Sequence, residues 1–315
     1  MEQPLVSVII PCYNAQKFVE KAVRSIMNQT YQNLEILCTD DCSIDSTLSI
    51  LERLATEDSR IRIIRHTENK KLIFTLNELV QESKGDYIAR MDADDISLPE
   101  RLEKQFVFLQ NNLDISFCGT NAWHINEDGK KIGKSCLPLT PEDNKFFLPF
   151  YSTFYHPTVM ARAEVFKENP YSPDFVHAED YELWCRLVFE RGIKGANLKE
   201  KLFEYRMNSQ GVSAQNRQTQ INTGAKVFDT INILNSIDNE EHKNIFWLHN
   251  NNDTKTLTYA KKVKKSLLRQ RSEYVLEAYK KLLFWVYKFQ NKKVFFSFLL
   301  NRIGLKAFYK IIFRR

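Results

Sequence analysis

Over its first 95 residues the chain alternates between two hydrophobic patterns, and that alternation narrows the choice of fold more than any other feature. Residues 5–10 (LVSVII), 34–38, 61–64 and 87–91 are short apolar runs, the first and third rich in β-branched side chains. Between them apolar residues recur at intervals of three and four, as in Phe18, Val19, Ala22, Val23, Ile26 and Met27. Continuous apolar runs suit strands covered on both faces, and the three-and-four spacing suits helices with one buried stripe. Strands alternating with such helices predict an α/β domain around a mainly parallel sheet, with helices on both faces. Ligands of such sheets gather beyond the carboxyl ends of the strands. Asp40 and Asp41 follow the second run, and Asp92, Asp94 and Asp95 follow the fourth.

Three acidic groups can carry chemistry, and each also has a bland reading. In Asp92-Ala93-Asp94-Asp95, Asp92 and Asp94 can point to one side while Ala93 points away. One carboxylate can then hold a divalent cation and the other a ribose hydroxyl. The bland reading is a solvated turn that caps the helix starting near Pro99. Asp40 or Asp41 can accept the imide N–H of a base, or cap the following helix. Glu179-Asp180 opens a helix running to Leu187. That pair can take a proton from an attacking hydroxyl, or simply favour the helix start. His156 can touch a diphosphate or metal, or be a buried structural histidine.

Composition sets outer limits. The chain has 315 residues, 43% hydrophobic and 27% charged. Those values suit one large domain, or a catalytic domain with an appendage, and exclude a chain disordered throughout. The six cysteines show no zinc spacing. Several sit in apolar runs where free cysteine behaves as a small hydrophobe, so the expected compartment is the reducing cytoplasm. No apolar stretch approaches the roughly 20 residues of a spanning helix. A strand begins within a few residues of Met1, so no signal peptide is expected.

The charge is lopsided. Residues 261–315 hold 16 Lys and Arg against Glu273 and Glu277, a net +14 in a chain of +6, which leaves −8 on the other 260 residues. From about Ile221 the chain reads as helical and increasingly basic. The expected division is a catalytic domain, 1–220, and a C-terminal helical, basic and aromatic region, 221–315. In 280–315, residues such as Phe284, Trp285, Phe295, Phe296 and Phe308 interleave with Lys and Arg, with no acid. That pattern suits the surface of an anionic membrane, or else a helical appendage packing its aromatics on the catalytic domain. No nucleic-acid-binding motif accompanies the charge, so no nucleic-acid partner is expected.

Several motifs in order carry a family resemblance. Residues 4–14 (PLVSVIIPCYN), 25–31 (SIMNQTY), Asp40-Asp41-Cys42-Ser43, Gly85-Asp86-Tyr87-Ile88, 91–95, 98–102, His156-Pro157 and 178–187 resemble family-2 glycosyltransferases. These have the GT-A fold, the Rossmann-like sheet of nucleotide-diphospho-sugar transferases. The likeness covers residues 4 to about 215. It implies an inverting, metal-dependent hexosyl- or N-acetylhexosaminyltransferase of bacterial cell-surface polysaccharide or glycolipid synthesis. The donor would be a nucleotide-diphosphate sugar, UDP-linked by resemblance, and the acceptor a sugar or lipid-linked hydroxyl. Mn2+ or Mg2+ would be the cofactor. The implied location is cytoplasmic, peripheral on the inner face of the cell membrane.

The same resemblance implies residue roles. Pro11 and Tyr13 would contact the nucleoside, and Asp41 with Asp40 would bind the base. Asp92 would lie near the ribose, Asp94 would hold the metal bridging the diphosphate, and Asp180 would be the general base. Lys71 falls where the family often places a cation near the nucleotide, although Asn69-Lys70-Lys71-Leu72 lacks the glycine frequently found there. Asp95, His156, Glu179, Arg186 and Arg206 are candidate donor or acceptor contacts, and Tyr205-Arg206 with residues 209–213 resembles the late donor-site loop. A processive synthase would carry Gln/Arg-x-x-Arg-Trp and several spanning helices, so addition of a single sugar is expected. One alternative is a sugar-nucleotide nucleotidyltransferase, which would show a Gly-rich, Lys/Arg-containing loop where this chain has Pro11-Cys12-Tyr13-Asn14. Another is a non-catalytic nucleotide-sugar-binding protein of the same fold, against which Asp94 and Asp180 speak.

Overall fold

A computed structural model describes residues 3–148, 151–208, 219–220, 223–224 and 226–227. The basic tail with its membrane reading, and the 209–213 loop, lie outside the described residues. The first half follows the expected alternation: β1 (Val6–Cys12), α1 (Val19–Met27), β2 (Leu34–Asp40), α2 (Thr47–Glu57), β3 (Ile61–Arg65), α3 (Leu72–Glu82) and β4 (Tyr87–Arg90). Then come β5 (Ile96–Ser97), α4 (Arg101–Asn111), β6 (Phe117–Ile125), β7 (Lys131–Lys134), α5 (Pro141–Phe147), β8 (Met160–Arg162), α6 (Ala163–Glu168), α7 (Glu179–Cys185) and β9 (Gly195–Arg206). Among the described residues no helix is long and apolar enough to cross a membrane.

The strands form one sheet in the order β3-β2-β1-β4-β8-β6-β9-β5, with β7 paired to β6. β3, β2, β1 and β4 are parallel, as are β6 and β9, but β8 runs antiparallel to both β4 and β6. The sheet is therefore more mixed than the alternation implied. The chain reaches β8 through a single turn of 3-10 helix at His156–Thr158, whose neighbour Val159 accepts a hydrogen bond from Arg90 N at 2.8 Å.

Residues 115–118 and 122–125 read as two strands in the sequence, but β6 is continuous. Thr120 and Asn121 look like a break, yet both are buried where the β6–β9 register shifts. Asn121 Oδ1 accepts from Ser135 Oγ at 2.8 Å and Leu137 N at 2.9 Å. A satisfied polar bulge takes the place of a turn.

Side chains alternate between two cores. Val6, Val8, Ile10, Ile36, Cys38, Ala89 and Met91 pack with α1, α2 and α4 on one face. Ile9, Leu37, Ile88 and Phe117 pack with α3, α6 and α7 on the other. Each fully buried aliphatic side chain contributes about 1.5–3 kcal/mol, so this two-sided burial is the main source of stability. Cys12, Cys38, Cys118 and Cys185 are all buried, as the small-hydrophobe reading requires. Residues 219–220, 223–224 and 226–227 are helical, and Val227 is buried in the second core.

Two resembling motifs turn out to be structural. Gly85 donates its N–H to Ser7 Oγ at 2.8 Å, and a Cβ there would sit 2.7 Å from Leu5 O and Ser7 N. Only glycine lets β4 start that close to β1. Gln29 Nε2 donates to Leu98 O at 2.9 Å while its Oε1 accepts from Leu102 N at 3.1 Å, so the 25–31 motif fastens α1 to the start of α4.

Candidate active site

The carboxyl ends of β1, β2 and β4 meet at one edge of the sheet, and the loops there are held in unusual conformations. Non-glycine residues with positive φ are Asn14 (48°), Cys42 (61°), Lys71 (72°) and His177 (67°). Each belongs to a loop beside a candidate site residue, where backbone strain tends to collect. The loops after β1 and β2 are laced together. Asn14 N donates to Ser43 Oγ (3.0 Å), Ala15 N to Thr47 Oγ1 (2.7 Å), and Ile44 N to Asn14 Oδ1 (3.0 Å). Pro11 lies within β1, paired with Thr39, and the Tyr13 ring beyond it is 51% exposed, available to stack on a ligand.

Capping at the N-cap position does not account for the acidic groups, although Glu179 and Asp180 do lie in the first turn of α7. The N-caps of α2, α4 and α7 are Ser46, Glu100 and Ala178, and none makes a side-chain cap bond. Asp40 and Asp41 are buried instead. Asp40 Oδ2 accepts from Ser43 N at 3.3 Å, and its Oδ1 is a buried acceptor with no partner. Asp41 is more heavily engaged. Its Oδ1 accepts from Lys70 N at 2.8 Å and meets His66 Nδ1 at 2.7 Å, and its Oδ2 accepts from Lys71 N at 3.0 Å. Lys71 adopts φ 72°, ψ 161° at the start of α3, a backbone region that is essentially reserved for glycine. The glycine missing from the sequence motif is thus missing from a position that still has glycine's shape.

Ala93 packs into the first core, and Asp92, Asp94 and Asp95 each place a carboxylate oxygen within 4.8 Å of the others. Asp92 forms a bidentate pair with Arg90, including Arg90 Nη1 to Asp92 Oδ2 at 2.7 Å. Two residues apart at a strand end, they share the face that looks toward α7. Burial, then the Asp92 charge, pushes Asp94 up to about 6. Burial raises Asp95 as well, reinforced by Asp92 and Asp94. Asp95 Oδ1 accepts from Arg206 N at 2.7 Å, while its buried Oδ2 has no partner. Buried carboxylates that raise one another's pKa, with a spare buried oxygen, fit a site for a hard divalent cation.

The second acidic pair faces the same arginine. Glu179 is pushed up to about 7 by burial and then by Asp180, and Arg90 pulls it back. Asp180 is raised by burial, with the Tyr181 N–H and Arg90 opposing. His156 is buried, with Nε2 at 2.8 Å from Tyr171 Oη, and burial next to Arg90 drives its pKa well below the usual range. His156 is therefore a neutral packing partner of Tyr171.

Two expected contacts are occupied elsewhere. Arg186 is paired with Glu182 through Nε at 2.7 Å and donates to Pro170 O at 2.8 Å. Arg206 donates to Asp94 O at 2.6 Å and to Asn126 O and Glu127 O at 2.8 and 2.9 Å, and it covers the Phe18 ring. It works as a clip joining the end of β9, the acidic turn and the β6–β7 hairpin.

Sequence reading missed Arg90, the buried cation paired with Asp92 whose charge is also felt by Glu179 and Asp180. Its signal was a lone charge inside the apolar run Tyr87-Ile88-Ala89-Arg90-Met91. It also missed Arg101, fully buried, whose guanidinium donates to Arg90 O and Pro157 O at 3.1 Å and so ties β4 to the His156-Pro157 turn.

Comparison with known proteins agrees with this geometry. Residues 7–169 match the family model described as Glycosyl transferase family 2. The O-antigen biosynthesis glycosyltransferase WbnJ of Escherichia coli is 37% identical over 210 residues, 65% of this chain and 80% of that protein. An E. coli UDP-Glc:alpha-D-GlcNAc-diphosphoundecaprenol beta-1,3-glucosyltransferase, WfgD, is 33% identical over 216 residues, 68% of this chain and 81% of that one. Among solved structures, the mannosyltransferase PcManGT from Pyrobaculum calidifontis, in complex with GDP-Man and Mn2+, superposes with a TM-score of 0.58 at 19% identity. That match covers 100% of this chain and 89% of the other, and it bears on the fold alone. With the motifs in order, the GT-A-like sheet and the matched family model, the chain is a glycosyltransferase and belongs to glycosyl transferase family 2.

Proposed function

We propose that this glycosyltransferase moves one sugar from a UDP-linked donor to an acceptor hydroxyl, with inversion, and that a divalent cation is needed. The observation that carries the reading is the set of three carboxylates, Asp92, Asp94 and Asp95, within 4.8 Å at the sheet edge, with Arg90 paired to Asp92 and its charge felt at Asp180. Asp94 and Asp95 would hold Mn2+ or Mg2+, and Asp92, fixed by Arg90, would sit beside the ribose. When bound, the cation supplies positive charge to the departing diphosphate. Tyr13 and Pro11 would flank the base, and Asp40 Oδ1 is the open acceptor for its imide N–H.

As the acceptor oxygen attacks the anomeric carbon, its proton passes to an Asp180 carboxylate oxygen. The bond to the diphosphate oxygen breaks on the opposite face, and its electron pair leaves with the nucleoside diphosphate. Burial suits Asp180 to this work, because a raised pKa makes it a stronger base near neutrality. The likeness to WfgD supports a lipid-linked acceptor. A basic tail lying on an anionic inner membrane surface would bring the two together.

The test is a donor screen that follows release of each nucleoside diphosphate, with wild type and Asp180→Asn in parallel. The reading expects UDP release dependent on acceptor and Mn2+, and a loss of at least about a hundredfold in Asp180→Asn with the fold intact. Full turnover by Asp180→Asn would reject the assigned base.

A further inference from the structure

Behind the nucleotide end of the sheet lies a histidine that no role above uses. His66 follows β3, is 4% exposed, and stands between two carboxylates. Its Nδ1 is 2.7 Å from Asp41 Oδ1 and its Nε2 is 2.6 Å from Glu78 Oε2 on α3. A carboxylate only accepts, so both contacts are satisfied together only when both ring nitrogens carry hydrogen. A neutral imidazole would turn a lone pair on one of the two acids.

The chain of contacts closes on itself. Asp41 accepts the N–H groups of Lys70 and Lys71, which holds Lys71 in its glycine-like conformation at the start of α3. His66 holds Asp41, and Glu78, one and a half turns into the same helix, holds His66. The other groups facing the ring are few. His66 N donates to Asp40 O at 3.0 Å, the Phe74 ring meets it edge-on, and Lys70 Nζ lies 3.9 Å from Glu78 Oε1.

We propose that His66, held as an imidazolium between Asp41 and Glu78, is a positioning residue that fixes Asp41 and the 69–71 loop for nucleotide binding. This rests on the reading of the β2 end as the nucleotide site. Burial lowers the basicity of the ring, but the hydrogen bonds to Asp41 and Glu78 outweigh it, so its pKa lies above the ordinary 6.5. The sign follows from that direction. The strut is complete below about 6.5 and is lost as pH rises through the raised folded value. Nucleotide affinity should therefore weaken with increasing pH, by roughly tenfold for each pKa unit of coupling.

The experiment is calorimetric titration of UDP into the intact chain at fixed Mn2+ between about pH 6 and pH 9, for wild type, Glu78→Gln and His66→Asn. NMR of 15N-histidine-labelled protein follows the ring in parallel. Wild type should lose about tenfold in affinity across the titration of His66. Glu78→Gln removes one acid without touching Asp41, so the same loss should begin at lower pH. His66→Asn should bind weakly at all pH values without that step, and the wild-type ring should carry two protons at pH 6.5. Superimposable pH curves for wild type and Glu78→Gln, or a singly protonated ring at pH 6.5, would overturn the proposal. If wild type bound neither UDP nor GDP at any pH, the nucleotide reading itself would fall, a result distinct from a bound nucleotide indifferent to His66.

Discussion

Lys71 and Glu179 both pay locally for their positions in the site. At φ 72°, ψ 161° Lys71 carries backbone strain that glycine would not. Lys71→Gly is expected to raise stability by about 1 kcal/mol, seen as a gain of about 2–4 °C in thermal midpoint, while Lys71→Ala should give no such gain. Glu179 is held near 7 by burial and by Asp180. The two carboxyls titrate as a coupled pair, and the proton must be off the base for transfer. With Asp180 as the proposed base, turnover of the wild type should therefore rise with pH as the pair gives up its protons. Glu179→Gln removes the neighbouring negative charge, so the acidic limb of its kcat profile should move to lower pH. Because the folded pKa of Glu179 is raised, it favours the folded state at low pH and ceases to do so above about 7. Glu179→Gln should accordingly be more stable than wild type at pH 8 and gain little at pH 5. A kcat profile unmoved by this substitution would remove the coupling.

At the scale of elements, the four opening strands and their helices were legible because each is covered on both faces and follows one hydrophobic period. The acidic residues were legible for the same reason, since a strand's end fixes where the next side chains must lie. What escaped was set by contacts between distant segments. β6 hid behind Gly119-Thr120-Asn121, whose polar groups are satisfied by distant partners, Thr158, Leu198, Ser135 and Leu137. The direction of β8 depended on the His156-Pro157 turn and on Arg101 beneath it. Arg186 and Arg206 sat in motif positions, but their partners, Pro170 O and Asn126 O, come from loops no local pattern describes. The start of β9 offers a direct test of the packing. A Cβ on Gly195 would overlap the Phe117 ring, which stacks on Trp184 and packs against Phe154. With no room for the ring to move, Gly195→Ala should destabilise by about 1–3 kcal/mol in denaturant unfolding. A loss below about half a kcal/mol would mean the second core is looser than described.

Over the whole molecule, the proposed function rests on bringing acids that are far apart in sequence to one sheet edge, near the buried Arg90. Asp40, Asp94 and Asp180 arrive from three separate crossings, and burial raises the pKa of Asp94 and of Asp180 while Asp40 Oδ1 is left without a partner. Such an edge is unfavourable for the protein alone, and on the proposed reading a cation and a nucleotide diphosphate would make it favourable. The most direct measurement is the affinity of the intact chain for UDP with and without Mn2+, in wild type and Asp94→Asn. Wild type should bind at least about tenfold more tightly with Mn2+, and Asp94→Asn should lose that gain while keeping its fold. Equal affinity in the presence and absence of Mn2+, or an undiminished Mn2+ effect in Asp94→Asn, would contradict the assignment of this acidic edge as the site of transfer.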